Sequence, residues 1–241
     1  MTAVPVVEVF GPTIQGEGDL AGVPTAFVRF GGCDYRCTWC DSLFAVLPED
    51  VRTAPRLDME EIVRALAALP GAPEWVTLSG GNPALLELGE LVSLLHASGR
   101  RVTVETQGSV WRDWLAGVDL LTVSPKPPSS GMATPGNEAE AGRFLERAAA
   151  AGAHVVLKVV VFDEADYVWA SALRERHPQL PFHLSCGTDP PAAGTSHTEA
   201  LAGVSQRYRW LCERAAHDPA MDGARILPQL HVLAWGHKRG H

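Results

Sequence analysis

The 241-residue chain contains no uncharged apolar stretch near the roughly 18 to 20 residues that cross a bilayer, and residues 1–10 carry Glu8 with no basic run ahead of an apolar one. Neither a membrane span nor a secretory leader is expected, and the cytoplasm is the expected compartment. A basic excess is missing too. Twenty Lys and Arg stand against 28 Asp and Glu, a net charge of −8, which is the wrong sign for neutralising phosphates and argues against a nucleic-acid partner. Five cysteines are too few and too unevenly placed for a disulfide framework, because Cys33, Cys37 and Cys40 fall within eight residues while Cys186 and Cys212 stand apart. No internal repeat and no linker divides the chain. With 46% hydrophobic and 20% charged residues it has ordinary globular composition, and residues 1–241 are expected to form one domain with a core of its own.

Short β-branched runs alternate with helical patterns. Strands are expected at 6–10, 25–30, 75–79, 101–106, 120–124, 154–162 and 182–185, and helices at 58–69, 85–97, 137–151, 164–177 and 199–216. The clearest helix signal is Asp58, a capping residue followed three positions on by Glu61, with Ile62, Leu66 and Leu69 as one stripe and Pro70-Gly71 as the stop. This order predicts an α/β fold with a parallel sheet, an open or partial β/α barrel whose strands are nearly continuous apolar runs. Segments 43–57 and 127–136, rich in prolines and small residues, are expected as surface loops or lids.

Ligands in such folds collect at the carboxyl ends of strands. There the sequence offers Gly31-Gly32-Cys33, Ser79-Gly80-Gly81-Asn82-Pro83, Glu105-Thr106-Gln107-Gly108 and Ser124-Pro125-Lys126, with Gln15-Gly16-Glu17-Gly18 after the first strand. Cys33-x3-Cys37-x2-Cys40 supplies three thiolates and no nearby fourth ligand. A structural zinc site closes with a second Cys or His pair, which is absent, whereas three thiolates on a four-iron cluster leave one iron open to a small molecule.

This cysteine motif resembles that of the radical S-adenosylmethionine (SAM) superfamily, and Gly80-Gly81 resembles its Gly-Gly-Glu motif, with Asn82 in place of Glu. The resemblance implies a partial barrel of the radical SAM type, a [4Fe-4S] cluster on Cys33, Cys37 and Cys40, and SAM cleaved to a 5′-deoxyadenosyl radical. Glycines 80 and 81 are expected to let backbone approach the methionine moiety. Phe10 to Gly18, Gly22 to Cys33, Thr38 to Ser42, Glu105 to Gly108 and Leu227 to His231 together resemble the 7-carboxy-7-deazaguanine synthases. That similarity implies a radical ring contraction of 6-carboxy-5,6,7,8-tetrahydropterin with loss of ammonia, on the way to queuosine and related deazapurines. Magnesium, a homodimer and a flavodoxin- or ferredoxin-type electron donor are implied with it.

Carried onto this chain, the resemblance gives Ser42 as magnesium ligand, and Trp39, Cys40, Asp41, Gly81, Glu105, Ser124 and Lys126 beside SAM. It gives Ile14, Gln15, Gly16, Arg29, Ser79, Gln229 and His231 as pterin contacts, and the segment 224–241 as the closure of the pocket. The residues suit these roles: Arg29 offers a planar two-pronged donor to a carboxylate, and a hydroxyl at Ser42 suits a cation that keeps most of its waters. Gln229 and His231 are expected on one face of an extended segment. Without the family, Ser42 and Ser79 read equally as caps, Arg29 as a surface ion pair, and Glu105 as a buried carboxylate paired with Arg101 or Lys158. Cys186, Cys212 and the histidines at 154, 177, 183, 197 and 217 are assigned to packing or surface, and 237–241 to a polar tail. Two other readings share the cysteines: a radical SAM activase acting on a glycine of a partner protein, and a metal-binding structural module.

Overall fold

The computed structural model describes residues 3–189, 197–236 and 238–240, with side chains at 197, 198 and 200 left aside. The expected polar tail thus falls outside the described residues at 237 and 241. In chain order the elements are β1 (Val4–Ile14), β2 (Pro24–Phe30), α1 (Pro48–Thr53), β3 (Arg56–Leu57), α2 (Met59–Ala67), β4 (Trp75–Gly80), α3 (Gly89–Ala97) and β5 (Arg101–Thr106). They continue as β6 (Leu120–Val123), α4 (Pro135–Ala150), β7 (Val155–Val161), α5 (Glu164–Arg176), β8 (Phe182–Cys186), α6 (His197–Ala216), β9 (Arg225–Leu227) and α7 (Leu230–Trp235). One nine-stranded sheet runs β3-β1-β2-β4-β5-β6-β7-β8-β9. From β2 to β9 every pairing is parallel, and the sheet does not close on itself. This is the partial barrel that the alternation of elements predicts.

The sequence pattern misplaces β1 in one respect. β1 pairs antiparallel with β2, Ile14 opposite Pro24 and Val6 opposite Phe30, so its carboxyl end lies with the amino ends of the other strands. Segment 43–57, expected as a loop, holds α1 and the short edge strand β3, which pairs with β1. Asp58 does cap α2, accepting from the Glu61 amide at 2.8 Å while the Glu61 carboxylate accepts from the Asp58 amide at 2.8 Å.

The strands are not apolar on both faces. Val76, Leu78, Val102, Val104, Leu121, Val123, Leu157 and Val159 point outward into the main core beneath the helices. Their neighbours point inward and are mostly polar: Thr77, Ser79, Thr103, Glu105, Thr122, Ser124 and Lys158, the alternation a pleated strand imposes. Threonine is as good a strand former as valine, so a propensity reading cannot separate the two faces. A second, small cluster of Trp75, Leu120 and Val156, capped by Leu20 and Val23, gathers residues from the starts of β4, β6 and β7 and plugs the amino-terminal end of the barrel. Among the described residues, the cavity lies towards the carboxyl end.

Candidate active site

Above that plug lies a cavity of about 220 Å³, bounded by the loops after β2, β4, β5 and β6, the carboxyl half of β7, and residues 14–17 and 229–231. All the residues nominated from sequence line it: Cys33, Cys37 and Cys40; Ser42; Trp39, Asp41, Gly81, Glu105, Ser124 and Lys126; and Ile14, Gln15, Gly16, Arg29, Ser79, Gln229 and His231.

The cysteine loop forms one wall, and every one of its thiols is free. Burial pushes Cys40 up to about 11 and raises Cys33 and Cys37 as well. The loop is anchored on both sides. The Trp39 indole donates to Ser129 Oγ at 2.9 Å, and the Ser129 hydroxyl donates to the fully buried Asp166 carboxylate at 2.6 Å. On the other side the Gly81 and Asn82 amides donate to the carbonyls of Phe30 and Gly32 at 3.0 and 2.7 Å. A Cβ on Gly81 would lie 2.0 Å from the Gly32 oxygen and one on Gly80 2.2 Å from the Phe30 oxygen, so close packing against the chain ahead of Cys33 already demands both glycines.

The donor set fits an iron-sulfur cluster better than a single ion. Among the described residues no three His, Cys, Asp or Glu side chains gather closely enough to share one metal. In a cubane each thiolate holds a different iron, so three thiols spread along one wall with no fourth partner match it.

The rest of the lining carries charged and polar groups among apolar ones. The Arg29 guanidinium donates from Nε to Glu8 at 2.8 Å and from Nη1 to the Ser42 hydroxyl at 3.1 Å, between the rings of Phe10 and Phe44 at 5.7 and 5.5 Å. Ser42 donates in turn to Asp41 at 2.8 Å. The ion pair with Glu8 is partly buried at the site rather than on the surface. Ser79 Oγ is buried without a hydrogen-bond partner, a hydroxyl free to serve a ligand. Glu105 pairs with neither Arg101 nor Lys158: it accepts from the Gln15 amide at 3.2 Å, while Arg101 faces Glu74 and Asp119. Lys126 is half-buried, its ammonium 3.2 Å from Ser124 Oγ and 5.9 Å from the Trp39 ring centre, and desolvation lowers its pKa.

The floor holds what sequence reasoning missed. Because β1 ends at the plugged end, residues 15–17 enter the barrel from below, and the Lys158 ammonium donates to the Glu17 carboxylate. Gln229 donates to the other Glu17 oxygen at 2.6 Å, and Thr188 donates to Gln229. Burial alone would raise the Glu17 pKa, but Lys158, His231 and the hydrogen bonds prevail and hold it at about 2. The Lys158 pKa lies above the ordinary lysine value, since its attraction to Glu17 outweighs burial. A legible signal existed: Lys158 is the one charge in Val155–Val161, and a strand buried on both faces keeps a lysine only where it has a partner. Gln229 and His231 are not on an extended segment. Gln229 precedes α7 and His231 lies in its first turn, where the Leu230 amide donates to the Gly16 carbonyl at 3.0 Å. A Cβ on Gly16 would sit 2.0 Å from His231 Nδ1, which accounts for that glycine.

A partial barrel with a three-thiol loop after its second strand defines a class, and the Radical SAM superfamily model matches residues 27–163. A [4Fe-4S] cluster and SAM are the cofactors of that class. Over 242 residues the chain is 43% identical to a 7-carboxy-7-deazaguanine synthase of Bacillus cereus, with all of both chains covered. It is 42% identical to the synthase of the same name from Bacillus subtilis, over 98% of each chain. Its fold is similar to the crystal structure of QueE from Escherichia coli, with a TM-score of 0.63 and 20% identity over 95% of each chain. The chain belongs to the 7-carboxy-7-deazaguanine synthase family.

Proposed function

We propose that the chain converts 6-carboxy-5,6,7,8-tetrahydropterin to 7-carboxy-7-deazaguanine, in the biosynthesis of queuosine and related deazapurines. The observation that carries this reading is one cavity lined together by three free thiols, a guanidinium, a partnerless hydroxyl and main-chain groups. The substrate loses one ammonia and nothing else, so no net oxidant is consumed.

When bound, the cluster and SAM supply reductive carbon-sulfur cleavage and with it the power to remove an unactivated hydrogen. Cys33, Cys37 and Cys40 hold the cluster, and Trp39, Cys40, Asp41, Gly81, Glu105, Ser124 and Lys126 border SAM. Arg29 meets the substrate carboxylate, Ser79 and the backbone of Ile14, Gln15 and Gly16 meet the pterin edge, and Gln229 and His231 close over it within the segment 224–241. Ser42 would offer its hydroxyl oxygen to magnesium while donating a hydrogen bond to Asp41, with Arg29 beside it to balance the substrate charge. The Glu17–Lys158 pair fixes a charged floor that excludes loose water without presenting a free ion to the radical step. The single domain spans 1–241, acts in the cytoplasm, pairs as a homodimer and draws electrons from a flavodoxin- or ferredoxin-type donor.

The test is an anaerobic reaction with SAM, a reductant, magnesium and the carboxytetrahydropterin, followed by mass spectrometry. Formation of 7-carboxy-7-deazaguanine and ammonia is expected, and each single Cys→Ala change at 33, 37 or 40 abolishes both turnover and the visible absorption of the cluster. Cluster-loaded protein that yields no deazapurine would overturn the reading.

A further inference from the structure

One network beside the cysteine loop, built on the buried amides of Asn82 and Gln107 and reaching the exposed Asp34, has no role in the assignments above. Asn82 does not line the cavity. It is 1% exposed and uses its whole hydrogen-bonding capacity inward: Nδ2 donates to Asp34 Oδ1 and Ser109 Oγ, both at 3.0 Å, while Oδ1 accepts from the Thr106 hydroxyl at 2.8 Å and the Ala84 amide at 3.2 Å. Gln107, 4% exposed, faces the same pair from the other side. Its Nε2 lies 2.6 Å from Asp34 Oδ1, 3.3 Å from Ser109 Oγ and 3.7 Å from the sulfur of Cys33. Two neutral amides from the loops after β4 and β5 therefore grip the carboxylate that follows the first cysteine, and one of them reaches that cysteine's sulfur.

Resting on the reading that Cys33 holds an iron, we propose that Asn82 and Gln107 are positioning residues that fix Asp34 against the first cysteine and set the reduction potential of the cluster. An N–H donor to a ligand sulfur stabilises the more negative, reduced cluster and raises its potential, whereas a nearby carboxylate does the opposite. Gln107 supplies the first effect at Cys33 and Asp34 the second. Asn82 is the residue that permits both. A carboxylate at position 82 would place like charge against Asp34 and remove the donors that hold it, which gives a physical reason for an amide where the superfamily motif has Glu.

The two contributions have opposite signs, and that separates tuning from mere loosening. The experiment is an anaerobic redox titration of the reconstituted holoprotein without SAM, followed by electron paramagnetic resonance of the reduced cluster, with iron content checked for every variant. Gln107→Leu is expected to shift the midpoint to more negative potential, so that at the wild-type midpoint its reduced fraction falls below about half the wild-type value. Asp34→Asn shifts it the other way. Asn82→Asp, which keeps the shape and adds charge, shifts it to more negative potential, and the double variant Asn82→Asp/Asp34→Asn returns towards wild type. Should Asn82→Asp fail to fold, the first two variants decide alone. Midpoints that stay at the wild-type value, or that all move in one direction, overturn the inference. A wild-type protein that takes up no cluster overturns the functional reading instead, so the two failures are distinct.

Discussion

Each charge at the site is held by a few named partners, and that makes its removal measurable. Glu17→Gln would leave the Lys158 ammonium buried with a neutral neighbour. Breaking one side of a buried pair costs about 3 to 5 kcal/mol, so the urea midpoint of Glu17→Gln falls by a matching amount. Adding Lys158→Met to that variant restores much of the loss, because the orphaned charge is gone. A single variant as stable as wild type would show the pair to be solvated. At Ser42 the expected effect is on metal dependence: Ser42→Ala raises the magnesium concentration for half-maximal turnover while iron content and visible spectrum stay unchanged. An unaltered magnesium profile removes Ser42 from that role.

Among the elements, the join between the turn after β4 and the end of β2 brings backbone directly against backbone. Gly81→Ala drives a methyl into the Gly32 carbonyl, one residue from Cys33, with no flexible side chain to give way. A loss of about 3 kcal/mol or more is expected, together with poor cluster retention, both read by denaturation and iron analysis. Gly142→Ala, in the middle of α4 with nothing within 4 Å, serves as the control and stabilises by about 0.5 to 1 kcal/mol. The same elements mark what the sequence allowed to be seen. Cys33, Cys37, Cys40 and the loops after β4, β5 and β6 were legible because their residues are contiguous and chemically unusual. The direction of β1 was not, since alternation of strands and helices carries no sign for a first strand that precedes any crossover. Residues 229–231 read as extended in the sequence because a six-residue helix gives too few turns for a period, and Gln229 sits one residue before it. Lys158 stood in plain view, but its partner lies 141 residues away and no local pattern connects them.

For the whole molecule the floor pair sets a pH dependence. Glu17 titrates at about 2 when folded against an ordinary value of 4.5, so its contribution to stability is complete above about pH 4.5 and is lost as the pH falls from there through about 2. Denaturation midpoints measured across that window fall in wild type, and the fall is smaller in Glu17→Gln. Equal slopes in the two proteins would place the acid sensitivity elsewhere.

The bond from Gln229 to Glu17 joins residues 212 positions apart. Closing so large a loop spends chain entropy that local helices and hairpins never face, so this contact belongs among the late events of folding. Glu17 therefore lacks one of its two side-chain partners until the chain as far as residue 229 is in place. Because β9 ends only two residues before Gln229, the last strand of the sheet and the floor of the pocket are completed together, at the far end of the chain.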